Sequence, residues 1–252
     1  MPIPKHKDKF ESVISLTPKH LFLKSNNAVD LSELPKAPEV CIMSPSTKIK
    51  EILSEKLELK TGPNIIRPIM MYEDKLAVFS DFVGFGAPMW SWVFEQLIFW
   101  GVKKFVFIGF FGKILKELDN NDIYVVEKAL KDEGTSYHYS NDKDDFSYPS
   151  EELNQKFIEK GCKTITIWTI DTMFRQTLLE IESGIEKKIA GFEMETSALF
   201  TIAKVKGVEL SSVQIISDYF IDGEYKSIYR SDDFNKNLKK AVDISLDVFG
   251  IN

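Results

Sequence analysis

Short β-branched runs that alternate with helix-period segments constrain the fold of this chain more than any other feature. Four to eight residues is the length of a buried strand, and apolar residues at helical spacing predict helices. The predicted strands cover residues 40–43, 76–83, 104–110, 122–127, 163–170 and 211–218. The predicted helices cover residues 47–57, 89–101, 194–207 and about 232–248. This alternation indicates an α/β fold with a largely parallel sheet.

Two stretches depart from a simple repeat. "DIYVVEKAL" is followed by "TSYHY", so we predict a sheet that is mixed and curled. The polar residues 140–155 predict a loop that runs into a helix near Ser150. No GxGxxG follows the first strand, which argues against a doubly wound nucleotide-binding fold. We expect one domain, residues 1–252.

Composition excludes several classes of function. The chain has 252 residues, 44% of them hydrophobic, which is enough for a sizeable core. Its net charge of −6 argues against a nucleic-acid partner. No apolar run approaches the ~18 residues of a membrane span, so we expect no membrane partner.

Cysteine and histidine placement points to a reducing compartment and to no metal centre. Cys41 and Cys162 lie far apart in apolar runs, which predicts buried free thiols and a cytoplasmic protein. The opening residues lack the apolar segment of a signal peptide. His6, His20 and His138 do not cluster, so we expect neither a metal nor an organic cofactor.

Acidic residues stand where predicted strands end. "GFEMETSALF" places Glu193 and Glu195 where a short strand gives way to a helix, and Asp218 ends the strand at 211–218. Ligands of such folds bind beyond the carboxyl ends of the strands. Glu195 can also be read as a favourable charge at a helix start, and Asp218 as a turn-forming residue. Together, a carboxyl group at each of two strand ends suits a polyol or a leaving group that needs a proton.

Longer motifs carry a family resemblance. "GFEMETSALFTIAKVKGVELSSVQIISDYF" resembles the signature of the nucleoside phosphorylase family, which includes purine nucleoside phosphorylases, uridine phosphorylases and methylthioadenosine nucleosidases. "DFVGFGAP", "FVFIGFFG" and "TIDTMFRQ" resemble that family's glycine turn, central strand and base-flanking segment. The resemblance runs from about residue 17 to the end. It implies a three-layer α/β fold with a mixed, distorted central sheet flanked by helices, and a homodimer or hexamer.

The resemblance also implies an activity, cleavage of the bond between ribose and a nucleobase. Asp218 would give the base a proton, and Arg230 would hold Asp218 in place. Glu195 would bind the ribose hydroxyls, while Glu193 would contact the sugar or brace the helix. The remaining implied substrate-binding residues are Phe192, Met194, Met173, Phe174, Phe85 and His20, the last of which would reach a neighbouring subunit's sugar.

The acceptor end of the site, where phosphate or water would bind, departs from the family pattern. "SPSTK" stands where phosphorolytic members have Gly-Asp-x-x-Arg, so Ser44 and Lys48 are the candidate phosphate ligands. Phe107 and Phe110 replace an arginine and a serine of the family. Three hypotheses follow: a phosphorylase with phosphate as co-substrate, a hydrolase that uses water, and a non-catalytic nucleoside-binding protein.

The choice of base also stays open. An aspartate at position 218 suits purines, whose ring nitrogen accepts a proton, and Arg175-Gln176 reverses the order found in uridine-specific members. "SYHY", with His138, resembles uridine phosphorylase relatives and points the other way. We expect a purine ribonucleoside.

Overall fold

A computed structural model describes residues 8–20, 34–64 and 67–251 of the chain. Eleven strands lie in that part of the chain: β1 (Val40–Ser44), β2 (Lys60–Asn64), β3 (Pro68–Tyr72), β4 (Leu76–Ser80), β5 (Lys104–Lys113), β6 (Tyr124–Asp132), β7 (Phe146–Ser147), β8 (Lys163–Ile170), β9 (Ile189–Glu193), β10 (Glu209–Ile221) and β11 (Glu224–Ser227). The helices are α1 (Lys48–Ser54), α2 (Ala87–Trp100), α3 (Ser136–Tyr139), α4 (Glu151–Glu159), α5 (Leu178–Glu186), α6 (Thr196–Lys206) and α7 (Asp232–Val248).

The strands form one mixed sheet that closes on itself. Its order is β11-β10-β6-β8-β9-β5-β1-β4-β3-β2, and β7 pairs with β6. Strand β10 pairs with β6 on one side and with β5 on the other, so β10, β6, β8, β9 and β5 form a ring. Strands β1 to β4 extend the sheet from β5. The expected mixed and distorted sheet is therefore confirmed.

Helices cover the sheet on both faces. One core contains the buried faces of α2 and α6, and the other contains those of α1, α4 and α7. Aromatic side chains fill the first core, where Trp90 of α2 packs against Phe79 and Phe107. This arrangement of helices, sheet and helices confirms the three layers. A smaller core around Trp168 and Phe192 lies at the end of the ring that carries the candidate site.

Local sequence signals explain where several helices begin and end. Ser150 precedes α4 as its N-cap, as the sequence predicted. Thr177 and Glu180 form a capping box at the start of α5. Gly207 ends α6 in the left-handed conformation that glycine adopts without strain.

Most predicted elements are present, and the misses are short or exposed. Every predicted strand and helix has a counterpart, with ends shifted by a few residues. Strands β2, β3, β7 and β11 and helices α3 and α5 were not predicted. Cys41 and Cys162 are free and buried, as expected. No helix in the described ranges is both long and apolar enough to cross a membrane.

Candidate active site

The register of three adjacent strands brings the main candidate residues together. Gly112 of β5 is paired with Asp218 of β10 on one side and with Phe192 of β9 on the other. Neighbouring strands lie about 4.8 Å apart, so the backbones of Asp218 and Phe192 are about 10 Å apart. Glu195 follows Phe192 by three residues. The two carboxyl groups singled out in the sequence therefore lie at the same end of the sheet.

Asp218 occupies space that a side chain at position 112 would otherwise take. A Cβ placed on Gly112 would lie 2.6 Å from Oδ2 of Asp218, so only glycine fits there. A register shift between Ile216 and Asp218 marks a bulge, which changes the direction of the side chains that follow. The hydroxyl of Ser217 donates a hydrogen bond to Oδ1 of Asp218 at 2.7 Å. Burial raises the pKa of Asp218 above its usual value, and the Ser217 hydrogen bond opposes that shift. Asp218 therefore keeps its proton to a higher pH than an exposed aspartate does.

Glu195 is a buried carboxyl group at the start of α6. Its Oε1 accepts a hydrogen bond from the backbone N–H of Gly86 at 2.7 Å, and its Oε2 accepts one from Met194 at 3.3 Å. Burial and the charge of Glu193 raise the pKa of Glu195 to about 8, against the lowering effect of these two hydrogen bonds. A carboxyl group in this state can donate and accept hydrogen bonds, which matches the needs of a vicinal diol.

A glycine turn aims the N–H group that Glu195 uses. Gly84 and Gly86 have φ values of 131° and 92°, which favour glycine. Gly86 precedes α2, so its N–H points away from the helix and towards Glu195. Phe85 between them is 65% exposed, and its ring contacts Phe82 at a centroid distance of 4.9 Å. Phe85 therefore stands at the surface beside the carboxyl group.

Glu193 is fully engaged by the protein itself. It accepts hydrogen bonds from the backbone N–H groups of Glu195 and Thr196 and from the Thr196 hydroxyl, each at 2.8 Å, and a short one from the Thr169 hydroxyl. Burial raises the pKa of Glu193, and its hydrogen bonds act in the opposite direction. Of its two predicted roles, bracing the helix is the one that these contacts favour.

The predicted base-side residues differ in their exposure. Phe192 is buried, and its ring lies 5.2 Å from that of Trp168. Met173 and Phe174 lie in a 3₁₀ turn that follows β8, with 51% and 93% of their surfaces exposed. Met194 is half-buried, and its methyl group would lie 4.0 Å from a Cβ on Gly86.

Arg230 and His20 do not join this cluster of residues. The guanidinium of Arg230 lies over the ring of Tyr229 at 5.3 Å, and Asp218 has its hydrogen bond from Ser217 instead. The expected Arg230–Asp218 contact is not formed between these described residues. His20 is exposed, and its Nδ1 accepts the backbone N–H of Thr17 at 3.1 Å. His20 was predicted to reach the sugar of a neighbouring subunit, and that role stays a prediction.

The acceptor end is occupied by apolar and already bonded groups. Ser44 is buried, and its Oγ accepts the backbone N–H of Ser46 at 3.2 Å. The Nζ of Lys48 donates to Oδ1 of Asn235 on α7 at 3.0 Å. Phe107 is buried against Trp90. These contacts leave Lys48 as an exposed cation whose side chain points to α7.

The second replacement at the acceptor end is Phe110. Its ring packs against those of Tyr229 and Phe234 at centroid distances of 5.9 and 5.1 Å. Phe110 therefore joins the start of α7 to the sheet through apolar contacts.

A cavity of about 380 Å³ opens beside the glycine turn. Its lining does not include Asp218, Glu193 or Glu195. Pro88, which lies two residues after Gly86, is part of its lining. Two other lining residues are joined by a hydrogen bond of 2.9 Å, which the backbone N–H of Gly134 donates to Oδ2 of Asp171. The lining residues are Pro88, Ser91, Gly134, Thr135, His138, Tyr139 and Asp171.

The roles of several residues at the site were not predicted from the sequence. Gly86 and Gly112 stand in the motifs "DFVGFGAP" and "FVFIGFFG", but the roles of a backbone N–H and of an absent side chain are not visible without strand register. Thr169 looked like one of several strand threonines. Ser217 was noted only as a neighbour of Asp218. No group of three or more His, Cys, Asp or Glu side chains among the described residues could hold a metal ion, and His6 lies outside those residues.

Comparison with known proteins shows what this chain is similar to. A model of the Phosphorylase superfamily matches residues 51–249. A DeoD-type purine nucleoside phosphorylase of Oceanobacillus iheyensis is 27% identical over 169 residues, which cover 64% of this chain and 72% of that protein. An uncharacterized protein of Acanthamoeba polyphaga mimivirus is 28% identical over 142 residues, which cover 55% of this chain and 56% of that protein. The chain thus spans only about half the length of the mimivirus relative.

Solved structures share the fold at low sequence identity. Uridine phosphorylase from Vibrio fischeri superposes with a TM-score of 0.70 at 19% identity, covering 89% of this chain and 96% of that one. A futalosine hydrolase mutant from Helicobacter pylori superposes with a TM-score of 0.67 at 18% identity, covering 85% of this chain and 99% of that one. These likenesses concern the fold alone.

Proposed function

The chain belongs to the Phosphorylase superfamily, and from that premise we propose that it cleaves the N-glycosidic bond of a ribonucleoside. One observation carries the proposal. Gly112 on β5 pairs with Asp218 on β10 and with Phe192 on β9. The Asp218 carboxyl group and the segment that leads from Phe192 to Glu195 therefore flank one position that has no side chain. A purine ribonucleoside is the proposed substrate, because its ring nitrogen can take the Asp218 proton.

The proposed reaction uses the two carboxyl groups on opposite sides of the bond that breaks. As the bond lengthens, positive charge grows on the ribosyl ring and negative charge on the base. Asp218 donates its proton to the base, so that the base leaves as a neutral molecule. Glu195 binds the ribose 2′ and 3′ hydroxyls, and the growing positive charge favours its ionised form. Met173, Phe174 and Met194 supply apolar contacts to the base and sugar.

Phosphate is the proposed acceptor, with Lys48 and Ser44 as its ligands. An exposed lysine can turn from Asn235 to a phosphate as a single charged contact. Water is the second candidate, and the burial of Phe107 against Trp90 favours it, because no arginine side chain takes that place. The two acceptors predict different products, ribose 1-phosphate and free ribose.

A second copy of the chain is proposed to cover the exposed apolar side chains beside the site. Phe174 is 93% exposed, Phe85 is 65% exposed and Met173 is 51% exposed. Surfaces of this kind commonly mark protein interfaces. We therefore expect a homodimer or hexamer, which sedimentation equilibrium would measure; a monomer at micromolar concentration would contradict the proposal. The His20 contact with a neighbouring sugar stays a prediction.

The test of function compares nucleosides with and without phosphate. The protein is incubated with inosine, adenosine, guanosine and uridine, and the products are separated by chromatography. Free base that forms only with phosphate supports the phosphorylase, and free base without phosphate supports the hydrolase. Asp218→Asn should lower the rate by about 10²- to 10⁴-fold. Asp142→Asn, which changes an exposed carboxylate paired with Lys204, is the matched control and should leave the rate unchanged.

Two outcomes would overturn the proposal. No free base from any nucleoside, together with measurable nucleoside binding, would make the chain a non-catalytic binding protein. Equal rates for Asp218→Asn and Asp142→Asn would remove Asp218 from the chemistry.

A further inference from the structure

A buried hydroxyl joins the sheet to the carboxyl pair at the start of α6. Thr169 is fully buried near the end of β8. Its Oγ1 donates a short hydrogen bond to Oε1 of Glu193 and accepts the backbone N–H of Ser197 at 3.0 Å. A single side chain thus connects β8 to the last residue of β9 and to the first turn of α6.

A second buried carboxylate holds the same turn from the other side. The hydroxyl of Ser197 donates to Oε1 of Glu133 at 2.9 Å, and Glu133 also accepts the backbone N–H of Ser136 at 2.9 Å. Glu133 therefore links the start of α3 to the start of α6. The first turn of α6 is tied to two other parts of the structure through hydrogen bonds that exclude water.

Glu195 itself has much weaker support. Its carboxyl group accepts only the backbone N–H groups of Gly86 and Met194 in the described structure, whereas Glu193 accepts four hydrogen bonds. Its own backbone N–H, however, is held by Glu193. The location of the Glu195 carboxyl group therefore depends on how firmly the backbone at positions 193–197 is fixed.

We propose that Thr169 is a positioning residue for the sugar-binding carboxyl group of Glu195 and acts through Glu193 and Ser197. This proposal rests on the proposed function, because it takes Glu195 as the ribose ligand. A binding group must be held within about 0.5 Å of its productive position by side chains whose own conformations are locked. Thr169 meets that requirement, since it is buried and its two hydrogen bonds end on Glu193 and Ser197, which lie two residues before and two residues after Glu195.

The test removes the hydroxyl without changing the side-chain volume. Thr169→Val loses both hydrogen bonds, and Thr169→Ser keeps the hydroxyl and should restore function. Thr166→Val is the matched control, because Thr166 lies on the same strand and its hydroxyl also donates to a glutamate, Glu127, at 3.0 Å. Dissociation constants are measured for a purine ribonucleoside and for its 2′,3′-dideoxy analogue, which lacks the hydroxyls that Glu195 would bind.

The expected result is a selective loss of ribose recognition. Thr169→Val should bind the ribonucleoside about tenfold more weakly and the dideoxy analogue as the wild type does, since the loss of about one net hydrogen bond has an effect of that size. Thr169→Ser and Thr166→Val should retain the wild-type preference for ribose. An unchanged ribose preference in Thr169→Val, or an equal loss in Thr166→Val, would overturn the proposal.

A second measurement needs no substrate and separates this proposal from the proposed function. Amide hydrogen exchange of Gly86, Glu195 and Thr196 is followed by NMR in the free proteins. Exchange at these amides should be about tenfold faster in Thr169→Val and unchanged in Thr166→Val. If the wild type binds no nucleoside but this exchange pattern is found, the proposed function fails and Thr169 still positions Glu195. If exchange is unchanged, the positioning role fails whatever the activity.

Discussion

Gly112→Ala should disable the site while leaving most of the fold intact. The added methyl group would lie 2.6 Å from Oδ2 of Asp218, a distance that real Cβ atoms essentially never show. The φ angle of Gly112 is not positive, so the backbone accepts alanine without strain. The Asp218 carboxyl group must therefore move, and its hydrogen bond from Ser217 at 2.7 Å will be lost.

The size of the effect follows from these contacts. Overpacking of this kind costs about 1–3 kcal/mol of stability. Displacing a proton donor removes an advantage of about 10²- to 10⁴-fold from the chemical step. We expect kcat/KM to fall by about a hundredfold, because a displaced carboxyl group still reaches the base in a fraction of conformations. Steady-state cleavage of a purine ribonucleoside and urea unfolding measure the two quantities.

Gly62→Ala is the control, because it reproduces the overpacking away from Asp218. Gly62 lies on β2 at the outer end of the sheet, its φ is not positive, and an added Cβ would lie 2.5 Å from Sδ of Met71. Both variants should lose similar stability, and only Gly112→Ala should lose the larger part of its activity. Equal activity in the two variants would refute the reasoning, since it would mean that the Asp218 position does not matter for the reaction.

Three further predictions concern the carboxyl pair, the glycine turn and the thiols. Because burial and Glu193 raise the pKa of Glu195 to about 8, above its unfolded value, the folded protein binds more protons between pH 5 and 8, and stability falls as pH rises through that range. Glu195→Gln should reduce this slope by up to about 1.4 kcal/mol per pH unit in urea unfolding; an unchanged slope would contradict the assignment. Gly86→Ala should lower the free energy of unfolding by about 1–3 kcal/mol, because the φ of Gly86 is 92°, and it should also weaken nucleoside binding. Its control is Gly161→Ala, which has a φ of 89° and open space around it and should lose stability only. Cys41 and Cys162 should react with a thiol reagent only after unfolding, because both are buried and burial raises the pKa of each thiol; fast reaction of the folded protein would disprove this.

The sequence allowed prediction of the strands that lie in the core, because their β-branched runs are long and uninterrupted. Strands β2 and β3 were missed for a physical reason. They contain Gly62 and Pro63 or begin at Pro68, and they lie at the outer end of the sheet, where proline is tolerated. Helix α5 could have been predicted, since Thr177 and Glu180 form a capping box that is readable in the sequence.

The candidate site was predictable in its residue types but not in its contacts. Glu193 and Glu195 look alike in the sequence, yet one accepts four hydrogen bonds within the protein and the other faces the glycine turn. The family resemblance implied that Arg230 holds Asp218, but the backbone of Arg230 is left-handed, with φ of 65°, and its side chain lies over Tyr229. Such differences depend on strand register and backbone angles, which the sequence pattern leaves undetermined.

The double pairing of β10 has a consequence for how the molecule is made. Strands β5 and β6 are complete by residue 132, but β10, the strand that joins them, begins only at residue 209. A nascent chain that has left the ribosome up to residue 208 therefore presents two unpaired strand edges, and such edges recruit other chains. Contacts between residues this far apart in sequence form slowly. Aggregation during translation should consequently concentrate in the interval before β10 emerges, and chaperones that bind extended segments should act there.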